Sequence, residues 1–211
     1  MMKFSSLQKL GGIAIVAGSV LFALWAVCWT TMLPVESRYK DFSVMILSPN
    51  WLWISSVSLF GLVLMIFGFT AIYSRLYKDA GISGLMGYVL IMVAYILQAA
   101  EVTWEVFVYP AVVSYAPAVD LFKNRLLWDY PLIVLYRNVL HITIFLGVIL
   151  FCKALIKSKE FPKMAGILFL VGAVTYAVCS SFNMYLEILG VLIFSAGCFI
   201  LGRTMFSESS K

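Results

Sequence analysis

The sequence predicts an all-α protein, a single integral membrane domain built as a bundle of six transmembrane helices. Three observations predict it. Of the 211 residues, 63% are hydrophobic and only 12% are charged, whereas a soluble domain carries about 25% charged residues. The apolar residues fall into six segments of roughly 20 residues, the length that crosses a bilayer. The charged residues gather between these segments, as they do in polytopic membrane proteins.

The six predicted spans follow one another with short connections and leave no room for a soluble domain. They cover residues 11–32, 50–73, 83–108, 131–152, 163–180 and 184–202. Lys3 and Lys9 precede the first segment, as they would in a signal peptide. That segment is too long for a typical signal core and ends without an A-x-A site, so we expect a retained helix. Because a short connection separates the last two segments, they should form an antiparallel hairpin.

The lysine and arginine residues predict the orientation. Ten of them lie at the two termini and in the connections 74–82 and 153–163, and four lie in the remaining connections. Short cytoplasmic loops carry the excess of positive charge. We therefore expect both termini in the cytoplasm and the chain in the plasma or inner membrane.

The long connection between the third and fourth spans has a pattern of its own. Residues 117–129 interleave apolar side chains such as Phe122 and Leu126 with the charged residues Asp120, Lys123 and Arg125. This pattern favours a short amphipathic segment on the outer membrane interface. An irregular loop is the alternative.

Charged side chains within the spans are few, and they fall in the predicted outer halves of the third, fourth and sixth helices, near Gln98, Asn138 and His141. Such residues usually face protein or water, because exposing a charge to lipid is costly. Residues four apart share a helix face, so the stripes of the three helices can turn inward and form one outward-facing pocket. The candidate binding or ion-pair residues are Gln98, Glu101, Glu105, Arg137, Asn138, His141 and Glu187, with Asn183 beside them.

The charges of this predicted pocket do not cancel. Glu101, Glu105 and Glu187 face one arginine, Arg137, which leaves −2 when all are ionised and His141 is neutral. A poorly hydrated site disfavours this excess, so at least one glutamate should be protonated or bound to a cation. The alternative is a structural ion pair that orients the third and fourth helices, with the other acids hydrated at the headgroup level.

The sequence lacks the residues that several kinds of cofactor site require. His141 is the only histidine, which is too few for a bis-histidine haem, and the Glu-x-x-His pairs of di-iron bundles do not occur. We expect no cofactor and assign no catalytic residue, while the sequence leaves a metal open. Cys28, Cys152, Cys179 and Cys198 lie in apolar segments without a C-x-x-C pair, as buried free thiols do.

The pocket predicts binding or transport of a small cation, a proton or an amphiphile. An accessory or assembly subunit of a larger membrane complex is the first alternative, and a membrane-embedded lipid-modifying enzyme is the second. The expected partners are membrane lipids, with other membrane subunits or self-association open. The net charge of +5 is explained by the connections, so we do not expect a nucleic-acid partner.

Two stretches of the sequence have a motif-like spacing of residues. An acid precedes a V-x-P at Glu105, Val108 and Pro110, and a later helix has the form P-x-x-A-x-x-L-x-x-x-G-A. That helix contains Pro162, Ala165, Leu168, Gly172 and Ala173. The chain thus resembles a broad set of small polytopic prokaryotic membrane proteins of uncharacterised function. The resemblance implies six spans and a prokaryotic inner membrane, and it implies no activity.

Overall fold

The computed structural model describes residues 4–179 and 183–207, and within these ranges the chain is helical and contains no strand. Lys3, Lys211 and residue 180, which entered the predictions above, lie outside the described residues. Short 3-10 turns occur at Val35–Ser37 and Ala116–Ala118. The helices are α1 (Phe4–Met32), α2 (Phe42–Ile46), α3 (Trp51–Thr103), α4 (Tyr109–Val113), α5 (Val119–Lys123), α6 (Leu126–Asp129), α7 (Pro131–Lys157), α8 (Lys163–Cys179) and α9 (Met184–Ser207).

Long apolar helices dominate the described residues. Four helical stretches are long and apolar enough to cross a membrane. They are Gln8–Met32, Trp51–Val113, Pro131–Lys157 and Met184–Phe206. The fifth apolar helix, α8, has 17 residues, which is the lower end of the length that spans a bilayer. These lengths and compositions indicate a membrane protein.

The longest of these stretches is folded back on itself at Gly81. This residue interrupts the helical geometry of α3 with φ 59° and ψ −170°, a left-handed φ that glycine adopts without a steric penalty. On either side of it, the ring of Tyr73 stacks on that of Tyr88 with centroids 4.3 Å apart. Residues 51–80 and 82–113 are therefore two antiparallel arms, called here the first and second arm.

The connection expected at residues 74–82 is helical except at Gly81. The sequence prediction missed this because the charged residues there suggested a loop. Arg75 instead stays in the helix, and its Nε donates to Glu160 Oε2 at 2.8 Å. One glycine beyond the last helical residue is enough to end a helix, so the chain reverses without a longer loop.

Near the end of the second arm, one wide turn of the helix changes the backbone hydrogen bonding. Over Trp104–Val108 the helix widens to a π turn, in which the Tyr109 amide donates to the Trp104 carbonyl. The ordinary i−4 acceptor for Tyr109, the Glu105 carbonyl, is thereby released. Trp51, at the start of the first arm, donates its indole N–H to that carbonyl at 2.8 Å. This hydrogen bond joins the open ends of the two arms and fixes the backbone of Glu105.

Glycines decide which helices are neighbours. Gly68 of the first arm lies against α1, and Gly87 of the second arm lies against the backbone of α7. Gly172 of α8 lies against the backbone of α9, while Gly202 of α9 lies against α1. At each position a Cβ atom would overlap the facing helix. Small residues permit this close approach in membranes, so each helix is held to a specific partner.

Residues 33–50 and 114–130 close one end of the bundle and are called here the cap. The predicted amphipathic segment forms α5 and α6, which are separated at Arg125 in a left-handed conformation (φ 57°). Its Phe122 is buried, 1% exposed, and packs edge-on against Tyr109 and Trp128. The segment is thus helical in two short pieces and is anchored in the protein through aromatic side chains.

We expect Gly172→Ala to destabilise the protein, because its Cβ would overlap the backbone of Phe194 and push α8 from α9. Overpacking of this kind costs about 1–3 kcal/mol, or several degrees of melting temperature for a chain of this size. Thermal unfolding in mild detergent measures it. Gly61→Ala is the control, since its Cβ would make ordinary contacts with Leu21. Equal melting temperatures for the two variants would contradict this account of the α8–α9 contact.

Trp51→Phe should also lower the melting temperature. The substitution leaves the released Glu105 carbonyl without its donor, and an unsatisfied buried group costs about 1–3 kcal/mol. Trp53→Phe is the matched control, because the Trp53 indole N–H donates to the exposed side chain of Asn50. A Trp51→Phe protein as stable as Trp53→Phe would show that this hydrogen bond does not hold the arms together.

Candidate functional site

A cavity of about 700 Å³ lies at the cap end of the bundle. Residues from α1, both arms, the cap, α7, α8 and α9 all contribute to its wall. The volume is typical of sites that bind small organic molecules. Both charged and aromatic side chains line it, so the cavity is amphipathic rather than simply acidic.

The structure brings most of the sequence-predicted site residues to this cavity. Those in its wall are Gln98, Glu101, Glu105, Arg137, His141 and Glu187. Asn138 is exposed on α7 and is not among the described residues of the wall. Asn183 caps α9 instead, because its side-chain oxygen accepts hydrogen bonds from the amides of Tyr185 and Leu186. The pairing of an N-cap with the first amides of a helix is a structural role.

Arg38 is a wall residue that the sequence reasoning placed in a loop. Its guanidinium contacts the Glu187 carboxylate at 2.8 Å, and Glu187 is 8% exposed in the first turn of α9. Burial disfavours the charged guanidinium, but the Glu187 carboxylate and its hydrogen bond outweigh this and raise the pKa of Arg38. Arg38 is therefore charged, and the ion pair connects the cap to α9.

Glu101 and Arg137 face each other less closely. Their nearest atoms, Glu101 Oε1 and Arg137 Nε, are 3.9 Å apart, which is longer than a hydrogen bond. Polar groups at such a distance can be bridged by another polar atom. The pair thus leaves its charges accessible from the cavity, unlike Arg38 and Glu187.

Two further ionisable residues of the wall have no salt bridge among the described residues. Glu105 has no Lys, Arg or His nitrogen there within 4.0 Å, and Arg125 has no carboxylate within that distance. The guanidinium of Arg125 lies over the ring of Tyr39 at 5.8 Å, an arrangement that stabilises a cation weakly. These two side chains thus lack an ion-pair partner among the described residues.

The arginines change the charge count predicted from the sequence. The wall holds Glu101, Glu105 and Glu187, together with three arginines instead of one, namely Arg38, Arg125 and Arg137. The formal charges therefore cancel when His141 is neutral. The excess of −2 was counted without the cap, which the sequence did not place over the site. That at least one glutamate is protonated or bound to a cation stays a prediction.

Aromatic side chains form much of the remaining wall, among them Trp25, Trp29 and Trp128. The rings of Trp25 and Trp29 lie 5.7 Å apart. The indole N–H of Trp25 is buried and has no hydrogen-bond partner among the described residues. A buried donor without an acceptor is costly.

A smaller apolar recess of about 50 Å³ adjoins the cavity. The two share wall residues, including Phe22, Phe145 and Tyr176. Beyond these, the recess extends toward the middle of the bundle along apolar side chains such as Val148 and Phe194. The site therefore passes from charged and aromatic near the cap to apolar in the bundle interior.

The described residues contain no group of three or more His, Cys, Asp and Glu side chains placed to hold a metal ion. The three glutamates of the wall are dispersed over the second arm and α9, so they do not form one such group.

Comparisons with protein-family models, curated proteins and solved structures found no match for the chain. The resemblance to small prokaryotic membrane proteins, which rests on residues such as Glu105 and Pro162, stays a prediction. The functional conclusion therefore rests on the cavity and its wall.

Proposed function

We propose that this protein binds an amphiphile whose polar head occupies the cavity and whose apolar part extends into the recess. The observation that carries the proposal is the gradient along the site, from charged residues below the cap to apolar residues in the bundle interior. A bare proton or metal ion would use neither the cavity volume of about 700 Å³ nor the apolar recess. An amphiphile uses both, because burying its apolar part removes that surface from water.

The charges of the wall favour a head group that carries both signs. Glu105 suits an ammonium group, and Arg125 suits a phosphate or carboxylate, because charge-assisted hydrogen bonds are the strongest that such groups form. The indole rings of Trp25 and Trp29 suit an ammonium group through cation–π contact. A zwitterionic head group satisfies all of these side chains together.

The membrane placement belongs to this proposal. The two arms have about 30 residues each, so each is long enough to cross a bilayer. With α1, α7, α8 and α9 they make six spans. The lysine and arginine count then places both termini in the cytoplasm and the cap outside, at the outer surface of a prokaryotic inner membrane. The head group would accordingly lie at the depth of the outer leaflet head groups.

We expect Glu105→Gln to weaken binding of a zwitterionic amphiphile about 10- to 100-fold, because a hydrogen bond to a charged group contributes about 1.5–3 kcal/mol. The measurement is isothermal titration of the protein in nanodiscs with dihexanoylphosphatidylcholine below its micellar concentration. Arg125→Asn should weaken binding to a similar extent, and asparagine tolerates the left-handed backbone at this position.

Glu160→Gln is the matched control. It removes an acid paired with Arg75, which lies at the opposite end of the bundle, so binding should match that of the unaltered protein. Unchanged binding in both Glu105→Gln and Arg125→Asn would contradict the assignment of these two residues to the head group. Loss of binding in the Glu160→Gln control as well would also contradict it, since the effect would then not depend on the cavity.

A further inference from the structure

We infer that the cavity has a lateral opening between α7 and α8, through which the acyl chain of a membrane lipid reaches the recess. This inference rests on the proposed function and adds the source of the amphiphile to it. The occupant is then a lipid of the surrounding leaflet with a zwitterionic head, and the cap is not its route to the site.

The pairing of the helices explains why an opening lies there. Gly147 of α7 lies against the second arm, and Gly172 of α8 lies against α9, so these two glycines face other helices. Near the connection of α7 and α8, Gly166 of α8 lies against Ile156 of α7. Toward the cap, no described glycine brings α7 and α8 together. The space between them is occupied there by the cavity and the recess.

The exposure of the wall residues indicates the same opening. Ile142 and Leu146 of α7 and Val178 of α8 line the cavity and are nonetheless 60%, 47% and 52% exposed. Trp29 of α1 and Val102 of the second arm, which also line the cavity, are buried. Apolar side chains that both line a cavity and are exposed form its rim. We call this rim, made by Ile142, Leu146 and Val178, the portal.

The composition of the portal identifies what passes through it. Its side chains are aliphatic, so they solvate a hydrocarbon chain and give a charged head group no partner. The first charges inside it belong to residues near the cap, such as Arg137 and Glu101. A molecule that fills the portal and the cavity together must therefore be apolar at the membrane side and charged toward the cap, as a lipid is.

The test compares lipid exchange with binding from water. Val178→Trp narrows the portal, and Leu189→Trp is the matched control, because Leu189 is exposed on α9 and is not among the cavity residues. The protein is purified with a long-chain phosphatidylethanolamine and transferred to nanodiscs of its deuterated form. Native mass spectrometry then follows replacement of the bound lipid. We expect exchange at least tenfold slower in Val178→Trp than in Leu189→Trp, with dihexanoylphosphatidylcholine binding in Leu189→Trp equal to that of the unaltered protein.

Equal exchange rates in the two variants, or absence of any bound long-chain lipid, would overturn the portal. Titration with dihexanoylphosphatidylcholine separates the two proposals: if this soluble amphiphile binds and Glu105→Gln weakens its binding, the proposed function stands while the portal fails. A protein that co-purifies stoichiometrically and covers α7 and α8 would also overturn the portal, since the gap would then hold a partner helix.

A second measurement uses the unaltered chain, so it does not depend on the folding of a tryptophan variant. Phosphatidylethanolamine with a photoactivatable diazirine in its acyl chain is incorporated in the nanodisc, and labelled peptides are identified by mass spectrometry. We expect labelling of residues 142–146 and 173–178 that dihexanoylphosphatidylcholine competes away. Labelling there that is no more sensitive to competition than labelling around Leu189 would refute the portal.

Discussion

Backbone contact at glycines is the constraint on which the rest of this structure depends. Lipid gives apolar helices no reason to prefer one another, so selective pairing must come from shape and hydrogen bonding. Gly87 holds the second arm to α7, and Gly172 holds α8 to α9. Because α7 is drawn toward the second arm and α8 is drawn toward α9, the gap between α7 and α8 is wider. The cavity between α7 and α8 follows from where the glycines are.

The cap follows a different principle from the bundle. Its short helices are held by aromatic packing around Phe122 and by the ion pair of Arg38 with Glu187. Breaking one partner of a largely buried pair leaves a charge without compensation, and that is strongly destabilising. This ion pair therefore anchors the cap, and its two charges neutralise each other rather than a ligand. What remains open to a ligand is Glu105, Arg125 and the loosely opposed Glu101 and Arg137.

The sequence predicted the helical class and the apolar helices, because composition and segment length depend on local residues alone. It also selected acids that the fold brings to one cavity, since Glu101 and Glu105 share a helix face wherever the helix lies. The arginines of the cap were missed, because Arg38 and Arg125 sit in connections whose position depends on tertiary contacts. The helical stretch up to Gly81 was missed for a related reason: charged residues were taken to mark a loop. The six-span count and the orientation stay predictions.

The charges of the wall explain why an unoccupied cavity would be unfavourable in free energy. Three carboxylates and three guanidiniums cancel formally, yet only Arg38 and Glu187 are close enough to satisfy each other through a hydrogen bond. The others keep their hydrogen-bonding capacity. Water can meet these groups, but it cannot fill the apolar recess favourably. The zwitterionic amphiphile that we propose as the ligand would meet both needs at once, so the same charged and apolar side chains of the wall would also select it.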